Sequence, residues 1–386
     1  MTKFDLIVNG KFHYFEIAKE LNRIGLLNKI YTTYPKSHLA KYGVPSERVK
    51  SFVFLELLRR IIHKIPFISK NLNIFQKYLF GIFINFTYKQ NSNISLLFLA
   101  GNFYSIPIIK KFQKTKYTNW YVDEGSTHVL YRNSIMTQEF TKLDLRYKSD
   151  SKHIISWTIN EYLNSKSIFV PSEFVKKSFD IFGLSQKINV NPYGYNFNVK
   201  PLKVEPISRS INESKINVIF VGSLMIRKGL HYLIDAIQYL DSDHFHFHLV
   251  GPMRKDIQNF VYQISSKNNV TLYGSLDKNK LNKVYQKADV LILPSIEEGL
   301  SLVQLEALSR SVPVIATKNT GSDQCLVNNE NGIIIESFSS SSIILALQFI
   351  YQNPEFLKKL KVNSFKSIDK FTWENYVKNL SSLCEQ

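Results

Sequence analysis

Cysteine is nearly absent from the chain. Its two residues, Cys325 and Cys384, give no disulfide framework and no metal-ligand spacing, which fits a reducing cytoplasm. Long apolar runs are missing as well. The longest, YLFGIFINF from Tyr78 to Phe86, falls far short of the ~20 residues that cross a bilayer. The opening residues, MTKFDLIVNGKFHYFEIAKEL, hold no secretory core, because polar and charged residues follow a short strand. The expectation is a cytoplasmic protein, soluble or peripheral on the inner face of a membrane. No G-x-G-x-x-G follows any strand, which counts against a dinucleotide-dependent dehydrogenase. No nucleic-acid motif occurs either, so nucleic acid is not an expected partner.

Acidic residues are scarce in one half only. Residues 1–200 hold 29 Lys and Arg against 13 Asp and Glu, whereas residues 201–386 hold 20 against 18. Between positions 51 and 120 Glu56 is the sole acid. There LLRRIIHKIPFISKNLNIFQKYLF interleaves basic residues with Ile, Leu and Phe, the pattern of a contact with an anionic membrane surface. The plainer alternative is an ordinary solvated helix face.

What is present describes a folded α/β protein. Apolar residues make up 44% of a 386-residue chain, more than one ordinary core requires, so two domains are expected. Strand-like runs alternate with helix-length segments: FDLIV, KIYTT, SLLFLA, NWYVD and SIFVPS, then INVIFVG, FHFHLVG, NVTLYG, DVLILPS and VPVIAT. That βαβ rhythm implies two doubly wound parallel sheets. It breaks at residues 196–215, which read as a linker between domains 1–195 and 216–370, and residues 371–386 read as a final helix after a break near Phe371.

Ligands of such sheets bind beyond the carboxyl ends of the strands. After VIFVG, at Gly222 and Ser223, comes the basic pair Arg227 and Lys228 followed by Gly229, a site for a diphosphate: Arg offers a planar fork and Lys a point charge. After LILPS comes EEGLSLVQLEAL. Ser301 with Gln304 forms a capping-box pattern that starts a helix at Ser301, so Glu298 lies in the loop and Glu306 in the second turn, ~8–10 Å apart. The amides of Gly299, Leu300 and Ser301 face the same presumed cleft. One long polar ligand, anionic at its centre and hydroxylated at both ends, suits this set. A nucleotide sugar has that shape.

At this point the sequence resembles a known family. VGSLMIRKG followed by PSIEEGLSLVQLEAL is similar to the retaining glycosyltransferases of family 4, whose E-x7-E signature Glu298 and Glu306 match. GKFHYFEIAKELNRIGLLNKIYTTYP, VDEGSTH and NEYLNSKSIFVPSEFVKKSFDIFG are similar to acceptor-domain segments of its members. The resemblance implies the GT-B fold, two Rossmann-like domains facing a central cleft, with the acceptor on the first and the nucleotide-sugar donor on the second. It implies that Glu298 contacts the donor sugar, Glu306 the ribose, and Arg227 with Lys228 the diphosphate. It places His128 near the donor sugar, with a hydrogen-bonded structural histidine as the alternative, and Gly10 beside the phosphates. The base is expected near Gly274 and Ser275. Transfer with retention, without a metal ion or other cofactor, to a glycan or lipid-linked acceptor in surface polysaccharide or glycoconjugate synthesis follows from the same resemblance. Ser223 stands where many members have Arg, and Gly10 where many have two glycines.

Two other readings predict different behaviour. A nucleotide-sugar epimerase or hydrolase of the same fold turns over donor without an acceptor product, and a non-catalytic sugar-nucleotide-binding subunit binds donor without transfer. Four further features read as structural. His13 lies in a helix and is expected to pack, Asp123 and Glu124 to shape a loop, His244, His246 and His248 to line a strand rim, and Asp241 to Asp243 to form a turn.

Overall fold

The computed structural model describes residues 2–62, 69–99, 104–196 and 215–385. All but the two ends of the expected linker, and residues 63–68 of the basic stretch, lie outside the described residues. Seven strands form the first sheet: β1 (Lys3–Val8), β2 (Leu27–Thr32), β3 (Val49–Ser51), β4 (Ile94–Leu99), β5 (Trp120–Asp123), β6 (Ser167–Val170) and β7 (Ile188–Val190). Six form the second: β8 (Ile216–Val221), β9 (Phe245–Val250), β10 (Val270–Gly274), β11 (Val290–Leu293), β12 (Val314–Thr317) and β13 (Gly332–Ile335).

Strand order is β3-β2-β1-β4-β5-β6-β7 in one sheet and β10-β9-β8-β11-β12-β13 in the other, and every pairing is parallel. Helices cover both faces, so the central strands are mostly apolar; Val290–Leu293 and Val314–Thr317 are buried at every position. The order reverses beside β1 and again beside β8, which puts a crevice at the carboxyl ends of β1, β4 and β5 and of β8 and β11. The expected doubly wound pair of sheets is therefore present. Three strands escape the sequence pattern, β3, β7 and β13. Each lies at a sheet edge and is only partly buried, unlike the equally short β5, β6, β11 and β12, which are buried at every position.

Each domain lends a helix to the other. Met136 and Phe140, on the helix Val129–Lys142 after β5, are buried in the core of the second sheet. On the same helix Glu139 accepts from Tyr232 Oη (2.6 Å) and pairs with His231 Nε2 (2.9 Å). In return Trp373, Tyr376, Val377 and Leu380, on the last helix Trp373–Glu385, share the core of the first sheet with Tyr14, Ile17 and Leu21.

Candidate functional site

Glycines let the second domain's loops press together. Beyond β8 and β9, Gly222 and Gly251 take φ of +150° and +140°, and a Cβ on Gly251 would lie 1.8 Å from the Gly222 carbonyl oxygen. The Gly251 amide donates to the Gly274 carbonyl at 2.8 Å, so a row of backbone crosses the ends of β8, β9 and β10. Ser223 follows in this row and is half-buried. The basic turn Ile226–Lys228 ends at Gly229, φ +66°, where a Cβ would meet the Pro294 oxygen at 1.8 Å. Only glycine allows that approach.

The approach sets the charges. The Ile296 amide donates to the Arg227 carbonyl (2.9 Å), which brings the basic pair over the two adjacent glutamates. Arg227 Nη1 donates to Glu297 Oε2 at 3.1 Å. Lys228 Nζ donates to Glu298 Oε1, which also accepts from Ser295 Oγ (2.9 Å). Arg227 and Lys228 thus lie together at the cleft, each on a carboxylate.

Glu297 escaped the sequence reading. It is fully buried, and its Oε1 accepts from Ser126 Oγ (2.7 Å), Thr127 N (3.1 Å) and Thr127 Oγ1 (2.8 Å), all on the loop after β5 of the other domain. Burial alone would raise its pKa. Arg227, the donors Ser126 and Thr127, and Arg132 outweigh burial and hold the carboxyl below its ordinary value. Beside it Gly299 passes so close to the first domain that a Cβ would lie 2.1 Å from the Gly125 oxygen. Ser172 Oγ, at the N-cap of the helix Glu173–Asp180, donates to the Gly299 carbonyl at 2.7 Å.

The helix after this loop is Leu302–Leu308, with Ser301 at its N-cap position, but the capping box does not form. The Ser301 amide donates to the Thr320 carbonyl (3.1 Å), and the Gln304 amide nitrogen turns to the same carbonyl (3.0 Å). This corrects the expectation that Ser301 offers its amide to a ligand. The amides of Gly299 and Leu300 have no partner among the described residues. Glu306 lies within the helix, where burial pushes its pKa up against the pull of Arg310 and Lys278. Arg310 is itself buried, donating to the Glu306 carbonyl (2.7 Å) and Asn282 Oδ1 (2.8 Å) and lying over the Tyr285 ring. Gly274 and Ser275 are exposed at the outer end of β10.

Across the cleft, Gly10 turns at φ +122° and its carbonyl accepts from Thr32 Oγ1 at 3.1 Å. Phe12 follows at φ +39°, an uncommon conformation for a bulky residue, with its side chain 59% exposed. His13 does more than pack. Its Nε2 lies 2.5 Å from Asp123 Oδ2, and its ring lies 4.4 Å from Tyr193 and stacks at 5.8 Å on Trp373. Helical periodicity could not reveal a partner 110 residues away. Glu124 accepts from Tyr162 Oη (2.6 Å) and Ser126 N (3.0 Å), and burial lifts its pKa to about 7 although Arg132 and those donors oppose it.

His128 has a different place from the one expected. Its ring is buried against Phe182 (4.0 Å, stacked), Phe179 and Tyr162, and its Nδ1 accepts from the Leu130 amide at 3.3 Å. Burial and Arg132 lower its pKa to about 4, so it is a neutral cap of the helix Val129–Lys142 rather than an open contact for a sugar.

The three histidines at the β9 rim have local partners: His246 with Thr271 (2.8 Å), His248 with Tyr273 and Asn217 (both 3.0 Å), and His244 on the Tyr351 ring. The Asp243 amide donates to Asp241 Oδ1 at 2.8 Å, a turn. Among the described residues no cluster of three or more His, Cys, Asp or Glu is placed to hold a metal.

Comparison with known proteins bears on this cleft directly. Residues 204–367 match the model of the family described as glycosyl transferases group 1. The match lies in the second half of the chain, which is therefore similar to glycosyltransferase group 1 domains. That half holds Gly222, Arg227, Lys228, Glu297, Glu298 and Glu306 together. An uncharacterized glycosyltransferase of Methanocaldococcus jannaschii is 26% identical over 64% of this chain and 67% of its own length. Sucrose-phosphate synthase of Thermosynechococcus elongatus superposes with a TM-score of 0.72 at 17% identity, over 100% of this chain and 99% of that one. HepE of Anabaena, solved with UDP and glucose, superposes at 0.68 and 15% identity over the whole of both chains. The fold is GT-B, as expected.

Proposed function

We propose that the chain is a retaining glycosyltransferase of family 4 that moves a glycosyl group from a nucleoside-diphosphate sugar to a hydroxyl of a glycan or lipid-linked acceptor, without a metal ion, on the cytoplasmic side of a membrane. The observation that carries this reading is the pairing of Arg227 with Glu297 and of Lys228 with Glu298 at the crevice between two parallel sheets. A diphosphate entering there displaces one carboxylate from each cation. Glu298, released from Lys228, then accepts from donor-sugar hydroxyls, and Glu306 accepts from the ribose.

The chemistry needs charge placed in advance. The bond from the sugar C1 to the phosphate oxygen breaks and its electron pair stays on that oxygen. Arg227, Lys228 and the Gly299 and Leu300 amides, which have no partner among the described residues, stabilise the charge that grows there. The acceptor oxygen bonds to C1 on the face the phosphate leaves, and its proton passes to the departing phosphate. HepE, crystallised with UDP and glucose, makes a UDP-sugar the first donor to try.

A thermal-shift series with nucleoside diphosphates in EDTA, on wild type and Arg227→Ala/Lys228→Ala, tests the donor site. Stabilisation by one base, lost in the double variant, is expected. Transfer assays with that donor then read the anomeric configuration of the product by NMR. An inverted product removes the retaining mechanism. No shift with any diphosphate removes the donor site.

A further inference from the structure

Two helices of the first domain carry apolar side chains on the wrong side. Val53–Ile62 starts at the carboxyl end of β3, on the rim that bears the Gly10 loop, and Ser69–Thr87 returns the chain toward β4. Their inner faces are used: Leu55, Phe80 and Ile84 are buried in one cluster with Phe52, Tyr104 and Phe98. Their outer faces are not polar. Phe54, Leu57 and Ile61, spaced by three and four residues, form one stripe and are 48%, 54% and 61% exposed. Phe75, Phe83 and Phe86 stand exposed along the second helix, Phe86 by 81%. Phe54 meets Phe83 edge to ring at 5.1 Å, which joins the two stripes into one surface. A solvent-facing helix surface ordinarily carries charged and polar residues, and contiguous apolar patches of this kind mark interaction sites.

Charge decides the partner. Glu56 is the only acid between residues 51 and 120, and it is buried and doubly occupied: Arg59 donates through Nε (2.8 Å) and Nη2 (2.7 Å), and Arg60 through Nε (2.9 Å). Two guanidinium groups on one carboxylate leave a positive excess beside the apolar stripe. An apolar partner alone would not need it. A surface with phosphate outside and hydrocarbon beneath uses both.

We propose that the outer faces of Val53–Ile62 and Ser69–Thr87 dock on an anionic phospholipid bilayer, with the phenylalanines and leucine entering the headgroup boundary and Arg59 and Arg60 meeting lipid phosphates. The surface goes beyond the transferase reading and stands without it. Because the first helix springs from the cleft rim, docking holds the crevice beside the membrane.

Co-sedimentation of the full chain with vesicles tests this. Phosphatidylcholine vesicles are compared with vesicles that also contain phosphatidylglycerol. Wild type is expected to pellet with the anionic vesicles only, and less at high salt. Leu57→Ser/Ile61→Ser/Phe86→Ser, all at exposed positions, is expected to lower the bound fraction about tenfold while the thermal midpoint holds. Arg60→Glu gives a smaller loss through charge alone. Leu345→Ser/Phe349→Ser, which removes exposed side chains of the second domain, leaves binding intact. The proposal falls if wild type pellets with neither vesicle, or if the triple variant binds like wild type. It falls too if the control abolishes binding equally, or if sedimentation velocity shows a dimer that the triple variant dissolves while vesicles bind nothing.

Discussion

The two domains share a strand order but finish their strands differently. In the second, the loops beyond β8, β9 and β11 lock backbone to backbone, as at Gly229 on Pro294 and Gly251 on Gly222. In the first, the corresponding loops hold side chains: exposed Phe12, the His13–Asp123 pair and the buried Glu124. A ligand read by backbone and a few fixed charges is read the same way whatever else changes. A ligand read by side chains can be altered one residue at a time. On the proposed function, the contrast suits a constant donor on one side of the cleft and a changeable acceptor on the other.

The largest effect expected from breaking that contrast is on the fixed charges. Lys228→Ala should cut transfer by about 100-fold or more, the scale of losing one charge-stabilising donor, which steady-state rates on the folded variant measure. Next comes the backbone. Gly229→Ala combines a left-handed conformation with a carbonyl in the path of the new methyl, a cost of about 4 kcal/mol. Gly25→Ala in the first domain, φ +77° with nothing within 4 Å, should cost only about 1 kcal/mol. Urea unfolding of both variants measures the difference.

A third expectation concerns pH. Burial raises the Glu124 carboxyl to about 7, so the folded chain keeps a proton that the unfolded chain releases near its ordinary 4.5. Its contribution is therefore full below that ordinary value and is lost as pH rises through about 7. The change is on the order of 3 kcal/mol. Glu124→Gln should flatten the dependence, visible in denaturation midpoints from mildly acidic to mildly basic buffer. The smallest effect is Ser172→Ala, which loses a bond across the cleft and a helix cap at once, about 1 kcal/mol.

Much of the architecture could be read from sequence because parallel strands buried on both faces are apolar runs, and ten of them stand out between turn residues. Edge strands such as Val49–Ser51 carry no such mark. The site divides along similar lines. Arg227, Lys228, Glu298 and Glu306 lie in two short motifs, whereas Glu297 gains its meaning from Ser126 and Thr127, some 170 positions away. A carboxylate next to a conspicuous one draws no notice until its partners are in place. His128 is ambiguous for the opposite reason, since a polar residue after a strand is equally a ligand contact or a helix cap. Phe179 and Phe182, which fold over its ring, decide between them.

The mutual loan of helices has a consequence for how such chains can be recombined. A piece holding only the second sheet would lose Met136 and Phe140 from its interior, and a piece ending before Trp373 would leave Tyr14 and Leu21 uncovered. Grafting a second half from a relative therefore cannot be done by joining chains at residues 196–215 alone. The foreign half must bring a socket for Phe140 and a closing helix that fits beneath His13, so specificity travels between relatives only together with the seams that hold them shut.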